Sequence, residues 1–155
     1  MKFSTDRQIR LLAHNVRSLW NVGAFFRTCD ALKVEHLYLT GYTGTPPRKE
    51  ISKTAIGADE TVPFSSAKDP LEVLQELKSQ GWQIVALELT KDAVHIEKFT
   101  PENKVCLVVG HELEGVSPEI LAICDATVMI LMLGTKESLN VAVATGIALH
   151  RLRFA

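Results

Sequence analysis

Cysteine is scarce and scattered in this chain. Cys29, Cys106 and Cys124 are odd in number and widely spaced, with no Cys-x-x-Cys pair, which excludes a disulfide framework and argues against a metal site. The expectation is reduced, mostly buried thiols in a cytoplasmic protein. Long apolar runs are missing too: the longest, Val128–Leu133, falls far short of the roughly 18 residues that a membrane span needs. The first residues, Met1–Arg10, mix Lys2, Asp6, Arg7 and Arg10 with few apolar side chains and do not read as a secretory leader. No two glycines stand in Gly-x-Gly spacing, so the Rossmann dinucleotide fingerprint is absent, and Gly134-Thr135-Lys136 lacks the upstream glycine of a Walker A loop. There is no His-x-x-x-His pair and no Gly-x-Ser-x-Gly elbow.

What is present suits one globular domain over residues 1–155: hydrophobic residues make up 46% and charged residues 23%, without a low-complexity tract. The net charge of −1 hides a gradient, because residues 1–53 hold nine Lys and Arg against four acids (+5) and the remainder holds eight against fourteen (−6). A basic first third on an acidic body offers a phosphate-contacting surface, although scattered solvated charges would give the same count. Short apolar stretches alternate with helix-like ones. Ile9–Ala13 and Val34–Leu39 read as strands around a helix over Asn21–Leu32, and Gly41–Lys49 reads as a loop. Asp69–Lys78 places Leu71, Val73, Leu74 and Leu77 on a helical face behind an Asp-Pro start. Gln83–Leu87 and Val105–Val109 have the β-branched character of buried parallel strands. Ser117-Pro118 opens a helix over Glu119–Cys124, Val128–Met132 is a further strand, and Ser138–Leu152 a long Ala- and Val-rich helix. Alternation of this kind predicts an α/β fold with a mainly parallel sheet flanked by helices.

Three segments put polar residues where buried strands end or helices begin. In Asn21–Thr28, Asn21 has the look of a helix cap, and Arg27 stands among Phe25, Phe26 and Leu32, where a guanidinium is costly unless it meets an anion. A capping Asn and a snorkelling Arg explain the segment equally simply. In Val108–Val116, a strand ends in Gly110, where a ligand could approach the backbone, and Glu112 follows in the turn; an ordinary strand–turn–helix with solvated Glu112 and Glu114 is the competing reading. In Ile130–Ala142, a glycine loop leads to a helix start at Ser138, which a capping serine explains, but Asn140 is a weak helix former in an Ala/Val helix.

Taken in order, these segments resemble the three motifs of the SpoU-type RNA ribose methyltransferases of the SPOUT superfamily: Asn21, Gly23 and Arg27 as Asn-x-Gly-x-x-x-Arg; Gly110, Glu112, Gly115 and Val116 as Gly-x-Glu-x-x-Gly-Val; and Ser138-Leu139-Asn140-Val141. Ser52–Ala58 and Ala86-Leu87-Glu88 are similar to that family as well, so the resemblance runs from about Ile9 to Arg153. Two departures stand out: Leu131 where the family often has proline, which leaves the loop less rigid, and His111 where it frequently has asparagine.

The resemblance implies a single-domain SPOUT fold with a C-terminal trefoil knot, one of the rare exceptions to unknotted topology. It implies S-adenosylmethionine as cofactor, held near Leu87, Gly110, Ile130, Ser138 and Leu139, with no metal. The reaction implied is in-line methyl transfer to a ribose 2′-hydroxyl of structured RNA. Arg27 would act as the activating residue, and Asn21, Glu112, Ser138 and Asn140 would orient it and the ribose. A guanidinium with a pKa above about 12 is an awkward base, which favours electrostatic stabilisation of a developing alkoxide. The resemblance also implies a homodimer, for which the Ser138–Leu152 helix is an interface candidate alongside plain core packing. Between Met1 and the first motif there is no room for a separate RNA-binding domain, which favours transfer RNA over ribosomal RNA. Arg7, Arg10, Arg17, Arg48, Lys49 and Lys53 are the expected phosphate contacts. Two other readings compete: a non-catalytic RNA-binding or assembly factor, and a flavodoxin-like small-molecule enzyme without RNA binding.

Overall fold

The computed structural model describes residues 5–155; Lys2 of the basic count, and the Met1–Ser4 part of the N-terminal reading, lie outside the described residues. Seven parallel strands form one sheet in the order β3-β2-β1-β6-β4-β7-β5. They are β1 (Gln8–His14), β2 (His36–Thr40), β3 (Phe64–Ala67), β4 (Gln83–Leu87), β5 (Val94–His95), β6 (Lys104–Val109) and β7 (Ala126–Met129). The helices are α1 (Leu19–Ala31), α2 (Lys49–Ala55), α3 (Ala58–Thr61), α4 (Pro70–Ser79), α5 (Pro118–Ile123) and α6 (Val141–Phe154), with a 3-10 turn at Ile96–Lys98.

The three central strands are covered on both faces, which is why they read as continuous apolar runs rather than alternating ones. Ile9, Leu11, Ala13, Val105 and Leu107 pack under α1 and α6 against Val22, Phe25, Phe26, Cys29, Leu149 and Leu152. Their neighbours Leu12, Cys106, Val108, Ile84 and Ala86 point to the opposite layer, against Leu74 and Leu77 of α4 and Ile120 of α5. Burial drives the Cys29 and Cys106 thiols far above their ordinary pKa and pushes Cys124 up to about 11, so all three are poor nucleophiles. At the bottom of the sheet, buried Arg153 donates to the carbonyls of Leu32 (2.9 Å) and Lys33 (2.8 Å) and to that of Arg7. Arg7 in turn donates to Leu152 O at 2.6 Å, so the two arginines tie the end of α6 to the start of β1 and the end of α1.

Several boundaries differ from the sequence reading, each for a local reason. Ser18 is the N-cap of α1, accepting from the Asn21 N–H, so the helix begins before Asn21 and Asn21 belongs to its first turn. Asn140, not Ser138, caps α6: its side chain accepts from the N–H groups of Ala142 and Val143, which accounts for asparagine at the head of an Ala/Val helix. The strand expected over Val128–Met132 is instead Ala126–Met129, and the chain from Ile130 to Leu139 is irregular. Neither edge strand was foreseen, because β3 reads Phe-Ser-Ser-Ala with its first three residues exposed and β5 is two residues long. The short helix α2 buries only Ile51 and Ala55 and was hidden at the end of the expected loop.

Candidate functional site

Glu112 is the hub of the site. From the turn after β6 its carboxylate accepts the backbone N–H of Arg17 and of Ser18, each at 2.8 Å, on the residues that lead into α1. Burial by itself raises this carboxyl, but the N–H donors outweigh it and hold the group below the ordinary carboxylate range. Asn21, in the first turn of α1, donates from Nδ2 to Glu112 at 3.4 Å and accepts at Oδ1 from Nδ2 of Asn140 at 3.3 Å. Three segments far apart in sequence are thereby joined in one chain, Glu112 to Asn21 to Asn140. Simple solvation of Glu112 does not describe this geometry.

The turn that carries Glu112 is clamped by backbone. His111 and Gly115 exchange N–H···O bonds at 3.2 and 2.9 Å, and a Cβ on Gly110 would lie 2.3 Å from the Gly115 carbonyl oxygen and 2.8 Å from the Val116 nitrogen. The absence of a side chain at Gly110 is therefore required by the turn folding onto it, and the same residue lines the cleft beside that turn. His111 Nδ1 accepts from the N–H of Leu113 and of Glu114, at 3.1 and 3.0 Å, so this position shapes the turn as well. Gly110→Ala should lower the melting temperature by about 5 °C, because backbone rather than a flexible side chain must move. Gly134→Ala is the control: a Cβ there meets nothing within 4 Å, and its melting temperature should stay at the parental value. Differential scanning fluorimetry of both variants checks this, and equal losses would refute it.

Beside the turn runs a cleft at the C-terminal ends of β4, β6 and β7. Leu87, Gly110, Ile130, Ser138 and Leu139 all line it, together with Val109, Met132 and Glu88. In the sequence Glu88 stands out only as part of Ala86-Leu87-Glu88, with no role of its own in the site. Its carboxylate accepts from the N–H of Leu89 (2.9 Å) and of Val116 (2.8 Å), bracing β4 against the glycine turn. An acid directly after a buried strand was the signal that could have found it. The apolar walls and the carboxylates suit an adenine and a cationic sulfonium respectively.

Arg27 is exposed on α1, and its side chain makes no hydrogen bond or ion pair among the described residues. The expected apolar setting is corrected by the helical period: Val22, Phe25, Phe26 and Cys29 face the core and Arg27 points the other way. Ser138 is exposed on the cleft rim and joins no hydrogen bond with Asn21, Glu112 or Asn140.

The six basic residues separate into two groups. Arg7 is engaged as described, and Arg10 is held by Glu35 (2.7 Å), by the Tyr38 hydroxyl (2.7 Å) and over the Trp82 ring (4.3 Å). Arg17, Arg48, Lys49 and Lys53 are exposed with side chains uncommitted, on the loop before α1 and along α2. Among the described residues no group of three or more His, Cys, Asp or Glu side chains is placed to hold a metal ion, and no helix is long and apolar enough to cross a membrane.

Residues 8–150 match the SpoU rRNA Methylase family. The chain is 39% identical over 145 residues to a tRNA (guanosine(18)-2′-O)-methyltransferase of Aquifex aeolicus, covering 94% of this chain and 68% of that protein. It is 32% identical over 130 residues to the protein of the same name from Escherichia coli, covering 84% of this chain and 56% of the relative. The crystal structure of an AdoMet-bound rRNA methyltransferase from Sinorhizobium meliloti superimposes with a TM-score of 0.89 at 26% identity, over 98% of this chain and 60% of that one. The chain thus spans between about half and two-thirds of the length of these proteins.

Proposed function

Since the chain belongs to the SpoU rRNA Methylase family, we propose that it transfers the methyl group of S-adenosylmethionine to a ribose 2′-hydroxyl of structured RNA, transfer RNA ahead of ribosomal RNA. The observation that carries this reading is the bonded chain Glu112–Asn21–Asn140, which draws all three motifs together at the rim of the cleft while leaving Arg27 uncommitted. Both curated relatives named above are transfer-RNA enzymes. That supports the order of substrates.

S-adenosylmethionine, when bound, supplies an electrophilic methyl on a positively charged sulfur. Leu87, Ile130 and Leu139 would wall its adenine, and Gly110, Ser138 and Glu88 would offer polar contacts. Alignment of the incoming hydroxyl can itself contribute about 7–11 kcal/mol. That alignment is the task of Asn21 and Asn140, which Glu112 holds in register by gripping the start of α1. Arg27 would stabilise the oxyanion that develops on the ribose as the hydroxyl proton passes to a phosphate oxygen of the bound RNA, acting as a planar donor of fixed positive charge rather than as a base. No role in this step requires a metal.

The reading also includes a homodimer, a cytoplasmic enzyme and a trefoil knot. The knot rests on the likeness to the family; β6 and β7 flank β4 on opposite sides, and α6 packs on α1. Supporting the dimer, α6 turns an outward face made of Val143 (52% exposed), Ile147 (40%) and Phe154, and Thr28, next to Arg27, adjoins it. A subunit boundary there would lie beside the catalytic arginine. Val143→Asp should convert dimers to monomers or insoluble protein. Light scattering that finds the unmodified chain monomeric at micromolar concentration removes this part of the reading.

The test of the activity is incubation with labelled S-adenosylmethionine and bulk RNA, followed by mass spectrometry of nucleosides. A 2′-O-methylated nucleoside from the transfer RNA fraction is expected. A methyl on a base, or no transfer to any RNA by folded protein, overturns it.

A further inference from the structure

The chain has two tryptophans and two tyrosines, and each pair divides the same way. Trp82 is 4% exposed beneath Arg10, and Tyr38 is half-buried with its hydroxyl on the same arginine. Trp20 and Tyr42, by contrast, are 49% and 60% exposed. Both stand on segments that meet at the start of α1. Trp20 sits in the first turn of α1, where its carbonyl accepts from the Thr54 hydroxyl of α2 at 3.1 Å. Tyr42 lies in the loop after β2, its N–H donated to Asn15 Oδ1 at 3.0 Å. That loop rests on α1: a Cβ on Gly44 would come within 2.2 Å of Leu19 Cδ2. The start of α1, the loop and α2 thus form one continuous surface.

Its cations are free. Arg17 precedes Trp20, Arg27 stands seven residues after it and two helical turns along the same side of α1, and Arg48, Lys49 and Lys53 follow Tyr42 onto α2. Glu50 is the acid of α2, half-buried among them. Aromatic faces interleaved with uncommitted cations suit unstacked nucleobases carried on a phosphate backbone, which stack on the rings while the phosphates meet the charges. A protein partner of apolar character would find the cations costly to cover.

We propose that Trp20 and Tyr42 form a stacking platform for unpaired bases adjoining the nucleotide presented to Arg27, so that this enzyme recognises its RNA in a single-stranded loop rather than in a duplex. The proposal rests on the RNA methyltransferase reading above. It also explains why large aromatic side chains stay exposed beside the site while their counterparts are covered.

The test uses the full chain, a short unstructured oligoribonucleotide and a blunt RNA duplex of the same sequence. Fluorescence of the exposed Trp20 should be quenched by the single strand. Trp20→Ala and Tyr42→Ala should each weaken single-strand binding about 10-fold without changing its salt dependence, since no charge is removed. Trp20→Phe should keep most of the affinity. Lys49→Ala should instead flatten the salt dependence, and duplex binding and cofactor affinity should be unmoved by either aromatic change. If the parental protein methylates bulk RNA while both alanine variants bind the single strand as it does, the platform is wrong and the methyltransferase reading stands. If Trp20→Ala leaves RNA binding intact but changes the molecular mass in solution, the face is a protein interface. If the parental protein neither binds nor methylates RNA, the reading itself fails and the platform with it.

Discussion

Arg27→Ala is expected to slow methyl transfer by roughly 10²–10³-fold, the loss seen when a single oxyanion-stabilising donor is removed. Cofactor affinity should stay within a few-fold, because Arg27 does not line the cleft that Leu87, Ile130 and Leu139 wall. Stability should hardly change: the side chain is exposed and holds no other group of the described residues in place. Arg27→Lys should rescue poorly, since an ammonium lacks the planar fork that can meet an oxyanion and a phosphate together. Single-turnover rates with saturating cofactor, alongside calorimetric cofactor binding, provide the measurement. An alanine variant that turns over near the parental rate, or whose only defect is unfolding, rules out the catalytic role.

Glu112→Ala should damage both activity and stability. Its carboxylate takes the N–H groups of Arg17 and Ser18 and the amide of Asn21, so its removal frees the entry to α1 and uncouples Asn21 and Asn140 from the turn after β6. Loss of these bonds should cost about 1–3 kcal/mol. Transfer should drop by about 10²-fold, the scale of a displacement of about 1 Å in a positioned group. Glu112→Gln, which keeps acceptor capacity on one oxygen, should fall between parent and alanine. The pH dependence follows from the direction of the shift. The folded protein holds this carboxyl below its ordinary value, so the stabilisation is complete above the ordinary carboxylate range and is lost as the pH falls through the depressed folded pKa. Denaturant titrations of parent and Glu112→Gln across the acid range should therefore converge at low pH. Curves that stay parallel would show that Glu112 is not the group responsible.

Much of this was legible in the chain itself. Strands β1, β4 and β6 announced themselves because burial on both faces requires unbroken apolar runs, and Asp69-Pro70 and Ser117-Pro118 gave the starts of α4 and α5 because cap and proline act locally. The segments around Arg27, Glu112 and Asn140 were found because polar residues stood at the ends of such elements. The caps were misjudged by two or three residues, since Ser18 and Asn21 satisfy the same pattern and only the backbone torsion selects between them. The exposed edge strand β3 carries almost no burial signal and left no trace to read.

The sequence alone thus determined the layered α/β class, because periodicity and capping are consequences of neighbours within a few positions; the motif residues were singled out by their joint order, which resembles that of the family. It could not determine what those residues touch. Glu112 meets Arg17 and Ser18 across more than ninety positions, and Asn140 meets Asn21 across 119. Contacts of that range depend on strand order, which places β6 beside β1 and brings the turn after β6 to the mouth of α1. The same order separated the arginines: Arg7 and Arg10 were drawn into the fold by carbonyls, Glu35 and Trp82, whereas Arg17, Arg27 and Arg48 were left free. A charge in a sequence is only an available charge. Whether it is satisfied inside the protein or left for a ligand is decided by what tertiary packing sets within about 3 Å of it.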